Sequence, residues 1–413
     1  MNNNGSMLIG SLLVLVLTIL AAGILLRSVN ESANVRRVAT STEAFWSAEA
    51  GVQKSVYDYN YNNCNSFVQQ GSSTHCVTCS NCGVSNKTLA VSITSSCDYD
   101  VTINNSNTIM TSTASCPNRS ATNPIKRVVQ ASMGITSPFA YAAFAKNSVN
   151  LSNNTFVDSY ISSNGAYSNA TSLPNGDVGT NGTGAGTIVV NNNATVEGNV
   201  STGSGGTVTV GSGGLITGTT THNNNVLLPD VSVPSTLTGL VSGGTYSFSN
   251  GQTKTLTVGA YKYTNISMGN NATLNITGGV VQIYLTGVSA LTASNNTVVN
   301  IASGSSLQIY VDGVLNINNN VALNVSGNLP KNLQIYSTYS GANGMQINNN
   351  SHIYAAVYAP NTDISIGNNG DIFGSLIGKT VVASNNAAVH YDETLKTITT
   401  TSGTTGVTNW QEI

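Results

Sequence analysis

Residues 268–274 read Met268-Gly269-Asn270-Asn271-Ala272-Thr273-Leu274, and residues 305–311 read Ser305-Ser306-Leu307-Gln308-Ile309-Tyr310-Val311. The first is a polar bend between two apolar stretches. The second sets Leu307, Ile309 and Val311 on one face of a strand, because successive strand side chains alternate. The bend recurs in Leu151-Ser152-Asn153-Asn154-Thr155-Phe156 and in Val190-Asn191-Asn192-Asn193-Ala194-Thr195-Val196. Further Asn pairs or triplets stand at 295–296, 318–320, 348–350, 368–369 and 385–386. From Asn270 to Asn385 the copies fall roughly 17–30 residues apart, the kind of repeat that signals a solenoid. Asn accepts left-handed backbone, suits a tight bend, and can hydrogen-bond to its copy about 4.8 Å above. Residues 139–395 are therefore expected to form a parallel β-helix with the Asn blocks as turn ladders. A flat, polar ligand-binding face is the other use such blocks could have. Pro229-Asp230-Val231-Ser232-Val233-Pro234 is expected to separate two parts of this body.

Composition agrees with an exported all-β scaffold. Only 7% of the 413 residues are charged, with a formal net charge of −2 and 40% hydrophobic residues. Ordinary domains carry about 25% charged residues. So few charges leave no basic footprint for nucleic acid. Disorder would need low hydrophobicity with high net charge.

The N-terminus is different. Met7 to Leu26 is apolar apart from Gly10, Ser11, Thr18 and Gly23. About 20 helical residues span about 30 Å, the thickness of a bilayer core. The preceding residues lack the basic charge of a secretory signal, so a retained single membrane span is expected. Arg27, Arg36 and Arg37 follow it, where a positive-inside count favours the cytoplasm. The cysteines and the Asn/Ser/Thr-rich body favour export, and they outweigh three arginines. Beyond the span, Val35, Val38, Thr42, Phe45, Glu49, Val52 and Val56 recur at helical spacing. That stripe is expected to pack on the domain that follows or on a partner helix. Gly51 is the first candidate kink.

All six cysteines lie within 64–116: Cys64, Cys76, Cys79, Cys82, Cys97 and Cys116. An even number in a short exported segment reads as a disulfide framework with unknown pairing. The run Cys76-Val77-Thr78-Cys79-Ser80-Asn81-Cys82 is also similar to iron–sulfur ligation, but the fourth ligand and Pro expected after it are missing. Zinc, with His75 adjacent, is a further alternative. No cofactor is expected.

Two segments carry a resemblance. Gly5-Ser6-Met7-Leu8-Ile9-Gly10-Ser11-Leu12-Leu13-Val14-Leu15, followed by Ala44-Phe45-Trp46-Ser47-Ala48-Glu49-Ala50-Gly51-Val52, resembles the N-terminal region of PilX-type type IV pilus-assembly proteins. Those are minor pilin-like proteins with a short leader, one membrane span and a long first helix. The resemblance implies processing between Gly5 and Ser6. It also implies partners among other pilin-like or pilus-assembly proteins, and an inner-membrane location with an extracytoplasmic body. Gly10 stands where major pilins carry Glu, which points to a minor, assembly or tip role. The stretch from Val357-Tyr358-Ala359-Pro360-Asn361 to His390-Tyr391-Asp392-Glu393-Thr394-Leu395 resembles the end of a β-helical domain that often follows such an N-terminus.

An enzyme is not expected. β-Helical glycosidases need paired carboxylates. Asp363 with Asp371, and Asp392 and Glu393 with His390, are the pairs that neighbouring strands could join. Between Lys146 and Lys331 only Lys254 and Lys262 are basic, which is too few for lyase chemistry. The alternative to a pilus role is a surface adhesin binding glycans through Tyr310, Tyr336, Tyr339, Tyr354 or Tyr358. The expected class is thus mainly β, in four parts. Residues 1–60 are leader, transmembrane span and extended helix; 61–138 a small disulfide-rich domain; 139–395 the parallel β-helix; 396–413 a polar tail.

Overall fold

The computed structural model describes residues 4–61, 87–92, 97–103, 109–118, 120–398 and 404–413, with backbone alone for 4–16 and 57–61 of the first helix. It divides into two compact units, Met1–Gly134 with Thr405–Ile413, and Ile135–Thr404.

The first unit is one helix and one sheet. Helix α1 (Asn4–Tyr61) runs unbroken for 58 residues, roughly 87 Å at 1.5 Å per residue. It passes straight through Gly51. Strands β1 (Lys87–Ser92), β2 (Asp98–Ile103), β3 (Ile109–Cys116) and β4 (Ile125–Thr136) form an antiparallel meander. The C-terminal half of α1 shares a core with it: Ala44, Ala48 and Val52 pack with Tyr99, Val101, Met110, Ala114 and Val129. The residues expected as a polar tail, 396–413, contain a fifth strand, Thr404–Glu412, that lies beside β4. The β-branched Thr404, Thr405, Val407 and Thr408 suit a strand. Ile413 N donates to Val128 O at 3.0 Å, and Arg127 pairs with Glu412 at 2.9 Å.

The second unit is a sheet of parallel strands that returns on itself tier by tier. From residue 245 the chain climbs: Thr245 pairs with Asn265, Thr273 with Val298, Leu307 with Leu333, and His352 with Asp371. The last of these tiers is covered by the chain's own earlier residues. Strand β5 (Ala143–Leu151) lies on Asp371–Ala383, and β6 (Phe156–Tyr160) lies on Ala388–Asp392. Val178–Thr180 and Val200–Gly203 add two tiers more, and Thr220–Asn224 begins another.

One apolar row threads the stack: Leu274, Val299, Leu323, Ile353, Ile372, Val389, Val157 and Val196. All are buried. Its members face inward because strand side chains alternate. The row crosses the seam between Val389 and Val157 with no change of register.

Residues 225–244, including the Pro229–Pro234 segment, form a strap along the flank of the stack. Asn181 brackets Val226, giving a bond to its O at 2.6 Å and taking one from its N at 2.8 Å. Tyr358 Oη donates to Pro229 O at 2.7 Å, and Lys262 Nζ to Thr238 O at 2.7 Å. Leu228, Val231 and Leu237 cover Phe144, Tyr310, Tyr336 and Tyr358.

Asn blocks line one corner of the stack as two continuous ladders. Along the first, Asn192 donates to Asn153 (3.0 Å), Asn153 to Asn385 (2.9 Å), Asn385 to Asn368 (3.0 Å) and Asn368 to Asn349 (2.7 Å). Asn349 then reaches Asn319, which donates to Asn295 at 3.1 Å. The second ladder runs Asn193, Asn154, Asn386, Asn369, Asn350, Asn320, Asn296, Asn271. Every residue of the second ladder has positive φ. An L residue other than Asn or Gly resists that conformation.

Candidate functional site

Helix α1 changes character along its length. Leu17, Ile19, Leu20, Ile24, Leu25 and Leu26 point to different sides of it and are 56–70% exposed. Among the described residues no helix is long and apolar enough to cross a membrane. The expected span begins at Met7, and the side chains of residues 7–16 lie outside the described residues, as do those of Gly5 and Ser6.

Of the expected packing stripe, the structure puts Phe45, Val52 and Val56 against the sheet and leaves Val35, Val38 and Thr42 bare. Val35 and Val38 are 68% and 65% exposed, and Thr42 is exposed, its hydroxyl donating to Val38 O at 3.1 Å. Glu49 sits at the rim, accepting from Gln53 at 3.4 Å. Val52 is buried, and Phe45 and Val56 pack half-buried beside the core. The most deeply buried positions on the sheet are Ala44, Ser47, Ala48, Gly51, Val52 and Ser55. Small residues let the helix approach the strands closely. A Cβ on Gly51 would stand 2.4 Å from Ser112 Oγ and 2.7 Å from the Tyr99 ring. The spacing of 44, 48, 51 and 55 was visible in the sequence; bulky residues drew attention away from it.

Cys97 and Cys116 form a disulfide, tying the start of β2 to the end of β3 with Cα atoms 4.4 Å apart. Cys64, Cys76, Cys79 and Cys82 lie outside the described residues.

The candidate carboxylates of the second unit do not pair as their strand spacing suggested. Asp363 accepts from Thr380 Oγ1 at 2.6 Å, whereas Asp371 contacts His352 Nδ1 at 3.1 Å. His390 does not meet Asp392 or Glu393. Its Nδ1 lies 2.6 Å from Asp158 Oδ1, with both side chains buried. Tyr167 Oη donates to Asp158 Oδ2 at 2.7 Å. Register explains the meeting: Tyr354, Phe373, His390 and Asp158 are successive members of one outward row. Their rings stack, Tyr354 on Phe373 at 4.2 Å and Phe373 on His390 at 4.9 Å, and Tyr167 covers His390 at 3.8 Å. Burial raises the Asp371 carboxyl above its usual range, opposed by the nearby His352 and His390. Burial, then the Asp158 hydrogen bond, pushes the Tyr167 hydroxyl far up. Among the described residues the His390 ring makes one hydrogen bond, to Asp158. A hydrolytic relay would need a hydroxyl nucleophile at the other nitrogen. The group is built as a packed, hydrogen-bonded knot. Asp158 and His390 are 232 residues apart, so only the seam reveals their contact.

Of the tyrosines considered for glycan stacking, Tyr310, Tyr336 and Tyr358 are buried, while Tyr339 and Tyr354 are half-buried. Tyr246, Tyr261 and Tyr263, not singled out by sequence, lie over one open end of the stack, with Tyr246 on Tyr263 at 4.8 Å. Tyr261 and Tyr263 alternate along one strand and stand in the rows of Ile283 and Leu285. That alternation was the available signal.

A family model described as Domain of unknown function (DUF7305) matches residues 229–398. The match takes in the strap from Pro229 onward and the tiers from 245 to 392, and leaves out the tiers of residues 143–224. No curated protein matches the chain. Among solved structures, the chain is similar to the competence-associated pilin ComZ from Thermus thermophilus, at 12% identity and a TM-score of 0.34, over 90% of this chain and 97% of that one.

Proposed function

We propose that this chain is a structural, membrane-anchored minor pilin-like or pilus-assembly protein of a type IV pilus-like system, without catalytic activity. The bare half of α1 carries this reading. Large apolar side chains stand exposed on all sides of it, while the other half of the same helix is packed on a sheet. An apolar surface of that extent needs apolar surroundings. A bilayer supplies them to an isolated subunit, and neighbouring helices supply them in an assembly. The N-terminal resemblance assigns both roles to this segment. On this reading residues 7–26 cross the inner membrane once, and everything beyond lies in the periplasm or at the cell surface. Cys97–Cys116 suits such an oxidising compartment. The tiers of the second unit form a parallel β-helix. Its carboxylates serve hydrogen bonding within the stack.

Intact mass and N-terminal sequencing of the protein from sheared filaments and from membranes test the proposal. Filament-borne chains beginning at Ser6 are expected. Chains beginning at Met1 and confined to membranes would remove the pilus role and favour a tethered surface adhesin.

A further inference from the structure

Residues 161–177 form a loop that folds over the outward row Tyr354, Phe373, His390 and Asp158. Carboxylates supply several of its side-chain fastenings, beside neutral ones: Ser162 Oγ lies 3.1 Å from Thr394 Oγ1, and Ser159 Oγ accepts from Asn175 N at 3.2 Å and donates to Leu173 O at 3.0 Å. Asp158 accepts from Tyr167 Oη at 2.7 Å, and Asp392 Oδ1 from Ser162 N at 3.0 Å. Glu393 Oε1 accepts from Asn175 Nδ2 at 2.8 Å and from Ser159 Oγ at 3.0 Å. At the loop's exit, Asp177 Oδ1 accepts from Asn199 N at 2.7 Å. One backbone bridge joins the loop to β6, between Ser159 and Leu173. Beneath the loop Phe373 is 8% and His390 7% exposed, with Tyr167 as their roof. The Tyr160 hydroxyl is buried there with no hydrogen-bond partner among the described residues. A close-packed core has little reason to leave such a group unpaired.

We propose that residues 161–177 are an acid-released cover over the ring ledge of Tyr354, Phe373 and His390. A hydrogen bond to an ionised acceptor is roughly twice as strong as one between neutral groups. Acid removes that charge, so the carboxylate fastenings weaken in acid, while the neutral ones and the apolar rows of the stack, which hold no charge, do not. The charges around the latch are these. Asp158 faces His390, with Glu197 and Asp371 also near Tyr167. His352 holds Asp371. Asp392 stands near Tyr160 and Tyr391, and Glu393 near Tyr391 and Lys396, the last at 3.5 Å.

Hydrogen–deuterium exchange of the full chain, followed from pH 7 to about pH 3.5 and corrected for intrinsic rates, tests this. Exchange in residues 161–177 is expected to rise roughly tenfold or more while strands Ser306–Val311 and Leu333–Ser337 stay protected. A chain carrying Asp392→Asn and Glu393→Gln should show the faster exchange already at pH 7 and a flatter profile. Opening of the loop only together with those strands would overturn the proposal. So would an unaltered pH profile in the double variant.

Discussion

At the scale of single residues, the two decisive chemistries are the absent side chain of Gly51 and the amides of the Asn ladders. Gly51→Ala gains about 1 kcal/mol of helix propensity in an isolated helix. Here the added methyl meets Ser112 Oγ and the Tyr99 ring well inside contact distance. Overpacking of this kind costs about 1–3 kcal/mol, so a net loss of stability in the first unit is expected on thermal melting. A stabilised variant would mean that the helix does not approach the sheet so closely. The ladders were legible from sequence because a bend that needs left-handed backbone and a stacking amide selects Asn locally. Asp158 and His390 were not legible as a pair, since nothing near either residue names a partner in another tier.

Among the elements, α1 and the strap do the positioning. The helix follows from a run with no proline and, between Gly23 and Gly51, no glycine, and its buried face from three- and four-residue spacing. Which side of those turns is buried depends on the sheet surface offered to it, and that surface selects Ala44, Ala48 and Gly51 over Phe45 and Glu49. The strap was legible only as a break containing two prolines. Its role depends on Tyr358, Asn181 and Lys262, which lie on different tiers. Leu237, on the strap itself, is fully buried. Leu237→Ala is expected to cost about 2–5 kcal/mol and to raise exchange in residues 225–244 ahead of the tiers. A denaturant midpoint unchanged from that of the parent chain would show that the strap merely rests on the stack.

For the molecule as a whole, buried phenols set an alkaline limit. Burial, with Asp392 and Asp158 nearby, raises the Tyr160 hydroxyl far above its ordinary value, and burial with Glu393 and Asp392 does so for Tyr391. Burial and the neighbouring Tyr310 raise Tyr336. Burial and a hydrogen bond to Asp312 push Tyr284 up to about 12. An unfolded tyrosine ionises near pH 10. The fold holds these groups protonated, so the stability they confer is complete below about pH 10 and is lost as pH rises through the folded values. The melting temperature of the second unit is expected to fall steeply between about pH 10 and 12. Tyrosinate absorbance from these four residues should appear only with loss of the β-sheet circular dichroism signal. Tyrosinate formed in an intact sheet would contradict this burial.

The sequence by itself determined the parts: a long N-terminal helix with an apolar start, alternating strands, and Asn bends recurring at tier length. Each follows from short-range physics, in which helical or strand periodicity and backbone preference act within a few residues. Only the tertiary structure decided the order of the tiers. In a parallel stack any apolar row can continue any other, so sequence order and spatial order need not agree. Residues 143–224 are stacked beyond residue 392, and the strap carries the chain back to the opposite end. That seam, made by long-range burial of Val389 against Val157, also brings Asp158 to His390 and builds the covered ledge.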